Sequence, residues 1–169
     1  MFIKKILTII ITAIMVQVQA QSFLEGKGWT ARKVESTYIL SIKDKTSILD
    51  ALTDFVKTQK IQAGQITGIG AVNEATLRFF NPETKKFVDK TFKEQMEVTN
   101  LTGNISEIAG EPLLHLHITL GKSDYTALAG HLLDAKIRGA GEIYINTIDS
   151  KISKTKNEEV GLNFYDFKQ

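Results

Sequence analysis

Cysteine is absent from this 169-residue chain, and proline, tryptophan and histidine are scarce, with two, one and three residues respectively. Without cysteine there is no disulfide framework, no thiolate metal ligand and no thiol nucleophile. The N-terminus therefore cannot be a lipoprotein signal, which needs a cysteine to modify. Pro82 and Pro112 stand alone where turns are expected, and no Pro-rich linker, internal repeat or low-complexity stretch divides the sequence. Long apolar runs are missing too: Ile6 to Val16 falls short of the roughly 20 residues that span a bilayer. No serine sits in a strand-to-helix elbow, so no nucleophilic triad can be assembled.

Excess charge of either sign is also lacking. Lys4 and Lys5 precede the apolar run, and Val18-Gln19-Ala20 closes it on a small residue. That pattern predicts a signal peptide, residues 1–20, and hence an exported protein, periplasmic or secreted; a retained N-terminal anchor is the alternative. The whole chain carries 21 Lys+Arg against 19 Asp+Glu, and removal of residues 1–20 takes Lys4 and Lys5 with it, leaving 19 of each. A neutral mature chain of 149 residues (169 less 20) suits one domain and lacks the basic field that phosphate-backbone binding requires. Lys151, Lys154 and Lys156 form a local cluster, but Glu158 and Glu159 follow closely, so residues 150–169 read as a solvated tail. Its aromatics Phe164, Tyr165 and Phe167 favour docking on the domain over disorder.

Residues 21–31 read as a lead-in, with Trp29 packing at the start of the domain. Strand formers from Ser36 to Ile42 predict a first strand. After Lys43-Asp44-Lys45, Thr46 or Ser47 can cap a helix in which Ile48, Leu49, Leu52, Phe55 and Val56 recur at helical spacing, giving a helix over Ser47 to Gln59. The glycine-rich run Gly64 to Val72 follows that helix instead of opening one, so it predicts a strand with close backbone approach or a bulge, not a phosphate loop. Alternation predicts further strands over Glu74 to Phe80, Phe87 to Phe92, Met96 to Thr102 and Glu142 to Ile148, with Gly103 ending the third. Tyr125 to Ala135 fits either a helix or a strand through Gly130. Many strands and one clear helix make an α+β domain dominated by antiparallel sheet, with one or two flanking helices.

All three histidines fall in one part of the chain. In a strand over Leu113 to Leu120, Leu114, Leu116 and Ile118 would fill a core while His115, His117 and Thr119 face the other way. His131 supplies a third imidazole if the chain doubles back after Gly121. Three imidazoles suit zinc and leave a fourth position for water or a ligand. The alternative is that all three are packing or interface residues.

These motifs, in order, resemble a known family. Gly68-Ile69-Gly70-Ala71-Val72, Glu97-Val98-Thr99-Asn100-Leu101-Thr102-Gly103-Asn104-Ile105, Gly110-Glu111-Pro112 before His115-Leu116-His117, Gly130-His131-Leu132 and Glu142-Ile143 are similar to the PPC domain, the plant and prokaryote conserved domain. The likeness covers residues 32–149. It implies an antiparallel sheet with a flanking helix, a homotrimer, and a metal site, zinc, with His115, His117 and His131 as ligands near the subunit boundary. The family's glutamate matches Glu97, placing it as a lining and candidate catalytic residue of the same pocket. The family also carries a DNA-binding label associated with its PD1-like motif, and plant members follow AT-hooks, which this chain lacks. Ala129 replaces a glycine common before the last histidine.

Three functions follow in order. The first is an exported homotrimeric module binding a metal or a small unknown ligand. The second is a metal-dependent, hydrolase-like enzyme that activates water on the metal, with Glu97 or Glu111 as general base. The third, DNA binding, sits poorly with a neutral mature chain, so nucleic acid is not an expected partner.

Overall fold

A computed structural model describes residues 23–168. The signal peptide expected at residues 1–20 lies outside them. Ten strands and one helix follow one another as β1 (Phe23–Gly26), β2 (Trp29–Val34), β3 (Thr37–Ile42), α1 (Ile48–Thr58), β4 (Gly64–Asn81), β5 (Lys86–Phe92), β6 (Met96–Ile108), β7 (Glu111–Gly121), β8 (Ala127–Thr147), β9 (Ser153–Asn157) and β10 (Leu162–Asp166). The strands form one sheet, antiparallel except where β9 meets β6 at Ser153 and Glu107. The α+β expectation of mostly antiparallel sheet with a flanking helix holds.

β4 pairs with both β6 and β8, and β7 bridges β6 and β8 from the other side. These four strands therefore close into a ring. Inside lie Ile66, Val72, Leu101, Ile105, Leu116, Ile118 and Ile145, each at most 2% exposed. Helix α1 contacts β8, β7 and β1. Ser47 accepts a hydrogen bond from the Asp50 amide at its N-terminus, and Ile48, Leu52, Phe55 and Val56 are buried, as the spacing predicts.

Several expectations need correction. The lead-in is a hairpin: β1 pairs with β2, Trp29 is fully buried edge-on to Phe55, and its indole N–H donates to Asp54 at 2.7 Å. Gly103 does not end β6. A Cβ there would lie 2.1 Å from the His115 carbonyl oxygen, so glycine permits a close approach of β7 and the strand runs on to Ile108. The strict alternation expected over Met96 to Thr102 is broken by a register shift between Val98 and Asn100. Of Tyr125 to Ala135, the first two residues belong to a turn and the rest, from Ala127, resolve as strand; β8 (Ala127–Thr147) absorbs them together with the strand expected at Glu142. Pro112 lies within β7; the turn before it is made by Ala109 and Gly110, with φ of 50° and 84°. The glycines of β4 behave as expected, for a Cβ on Gly68 would stand 2.9 Å from the Glu142 carbonyl oxygen.

Candidate metal centre and its pocket

The alternation of β7 fixes the site. Leu116, Ile118 and Leu120 are buried in the core, so His115 and His117 project from the opposite face. The chain reverses through residues 122–126, where the Lys122 amide donates to the Thr126 carbonyl at 2.9 Å, and β8 returns with His131 directly opposite His117. His131 in turn opposes Arg78 of β4, and Arg78 opposes Asp89 of β5. Opposed residues share a face, so one row of side chains crosses from β7 to β5. Two residues along β7, His115 opposes Asn104 of β6.

The three rings gather closely. Their centroids are 5.2 Å (His115–His117), 5.1 Å (His115–His131) and 5.4 Å (His117–His131) apart. One nitrogen from each lies within 4.8 Å of the others. Burial holds His115 down to about 4, and the neighbouring charges of Lys154, His131 and His117 push the same way. Burial also lowers His131, helped by His117 and Arg78 and opposed by Asp89. At neutral pH His115 and His131 therefore keep a free lone pair, the form that binds a metal. Three imidazole nitrogen donors, two half-buried and that of His117 exposed, fit a zinc-like ion with a free position.

A cavity of about 600 Å³ opens over the rings. Phe79, Phe80, Phe87, Leu113 and Leu114 line it, with Arg78 and Lys154 as its cations. Arg78 is already satisfied: its Nε and Nη2 donate to the two carboxylate oxygens of Asp89 at 2.7 and 2.8 Å, and its guanidinium stands over Phe87. Lys154 is buried, which lowers its pKa, and its Nζ donates to Asn104 Oδ1 at 3.1 Å.

The expected carboxylates do not join this pocket within one chain. Glu97 opposes Gly121 at the far end of β6 and lines a separate groove with Glu142. At the rise of a strand this is roughly 15 Å from the level of His117. Glu111 pairs with Lys57 at 3.6 Å instead. Arg78, Asp89 and Lys154 went unread at this site, because only long-range pairing brings them to it. Lys154 also departs from the solvated tail expected for it: β9 docks beside β6, where Glu107 accepts from Ser153 at 3.0 Å and meets Lys151 at 2.9 Å.

Known proteins share this fold. No curated protein matches the chain. Among solved structures, a candidate DNA-binding protein of Bacteroides thetaiotaomicron is 52% identical, covers 85% of this chain and 100% of its own, and superposes with a TM-score of 0.83. A metal-containing protein of Archaeoglobus fulgidus is 26% identical over 87% of this chain and 98% of its own, at a TM-score of 0.72. A plant- and prokaryote-conserved protein of Pyrococcus horikoshii, 24% identical over 88% and 96%, shares the fold at 0.71. The family model for the Plants and Prokaryotes Conserved (PCC) domain matches residues 30–149, and the chain belongs to that family.

Proposed function

We propose that the protein is an exported, homotrimeric module that binds a small ligand at a zinc centre held by His115, His117 and His131. The observation that carries it is the convergence of three imidazoles, two held neutral by burial, beneath a pocket large enough for a small molecule. The metal content of the Archaeoglobus relative supports the centre. When bound, the metal would supply Lewis acidity and an open coordination position. The chain's residues hold the ring nitrogens, shield them with the Phe80 and Phe87 wall, and place the cations Arg78 and Lys154 beside them. Binding ranks above hydrolysis because no carboxylate among the described residues lines the pocket to act as general base. A catalytic Glu97 would have to come from another subunit. Exposed Phe79, Phe87 and Val88 on the β4–β5 hairpin support burial against a further copy.

Elemental analysis of protein purified without chelator or metal-affinity steps tests the centre, beside a His115→Ala, His117→Ala double variant. Near-stoichiometric zinc, lost in the variant, is the expected result. A wild-type protein that holds no metal and takes up none would overturn it. Sedimentation of the same sample should give three times the chain mass. The name of the Bacteroides relative favours a second reading, DNA binding. It requires duplex affinity that falls steeply with salt, measurable by fluorescence anisotropy.

A further inference from the structure

We infer that the pocket selects a small organic anion, an apolar carboxylate, and that Lys154 is the residue that recognises its charge. The inference rests on the metal centre proposed above and specifies its ligand. Lys154 is only 6% exposed, yet no ion pair forms to it among the described residues; its Nζ has the neutral Asn104 amide oxygen at 3.1 Å and the Tyr165 ring 4.6 Å away. A buried ammonium without a counter-ion is costly unless an anion completes the site. Asn104 stands directly opposite His115, so the ammonium sits beside the face that carries the rings.

The charge balance of the cavity points the same way. Arg78 is neutralised by its two bonds to Asp89, and among the described residues no Asp or Glu lines the cavity. A divalent metal on neutral imidazoles would add two further positive charges. The pocket then holds uncompensated positive charge at its floor and one side, while Phe80, Phe87, Leu113 and Leu114 supply apolar walls. A carboxylate on an aromatic or aliphatic body matches both: its oxygens reach the floor and Lys154, and its body packs on the walls. Lys154 thus positions and discriminates the ligand by charge.

Calorimetric titration with benzoate, and with benzamide as its uncharged counterpart, tests this on zinc-loaded and chelator-treated full-length protein. Benzoate is expected to bind at least tenfold more tightly than benzamide. Lys154→Met should remove at least tenfold of the benzoate affinity while keeping zinc stoichiometry, and Lys154→Arg should retain most of it. Equal binding of the two probes, no benzoate binding, or full affinity in Lys154→Met would each overturn the assignment. The probe comparison needs no variant, so it decides the matter even if Lys154→Met fails to fold. Failure to load zinc would overturn the metal centre separately, and Lys154 would then be judged by the chelator-treated arm.

Discussion

At the scale of single residues, the imidazoles set a pH dependence of stability. His115 is lowered by burial to about 4 in the folded chain, and His131 is lowered as well, against an ordinary value of 6.5. Between these values the unfolded chain binds protons that the folded chain refuses, so stability rises with pH. It is fully present above about 6.5 and is lost as pH falls towards about 4. Urea unfolding of metal-free protein should therefore give a midpoint that drops between pH 7 and 4.5. The drop should be smaller in His115→Gln. An equal slope in both proteins would remove His115 as its source. The three histidines were legible from the sequence because strand alternation alone puts His115 and His117 on one face. Arg78 was not, since its place beside His131 depends on pairing between β4 and β8 across some fifty residues of sequence.

At the scale of elements, Gly103 couples β6 to the histidine strand. A methyl group there would press 2.1 Å from the His115 carbonyl oxygen and 2.8 Å from Leu116. The backbone cannot yield as a flexible side chain would, so the strands must part at the level of His115. Gly103→Ala should cost about 1–3 kcal/mol, read from denaturant unfolding, and should weaken zinc binding more than a distant change of equal cost. Retained affinity with normal stability would show that the strands have room there. Helix α1 was legible to within a residue at each end because its cap and apolar face are local signals. The β-bulge in β6 and the strand that β9 forms beside β6 were not, although the tail's aromatics announced docking: a register shift answers to a neighbouring strand, and the apolar alternation that would announce β9 is missing from Ser153 to Asn157.

At the scale of the whole molecule, closure of β4, β6, β7 and β8 means that neither strand bearing the histidines is a free edge. The rings are held by packing beneath them, with Leu116, Ile118 and Leu132 each at most 3% exposed. Metal should therefore enter a folded site instead of creating one. Circular dichroism of chelator-treated protein is expected to keep its sheet signal and a cooperative thermal transition, and zinc should raise the midpoint only by mass action. Unfolding on chelation, as in zinc fingers, would contradict this.

The docked hairpin of β9 and β10 has a consequence in time as well as in space. The histidines are all in place by residue 131, but Lys154, Leu162 and Asn163 reach the pocket from the last stretch of chain. During synthesis the imidazoles of the proposed centre thus emerge first and the residue proposed to discriminate between ligands after them. A product ending near Ser150 would carry every imidazole and the apolar walls, yet lack the one cation proposed to tell a charged guest from a neutral one.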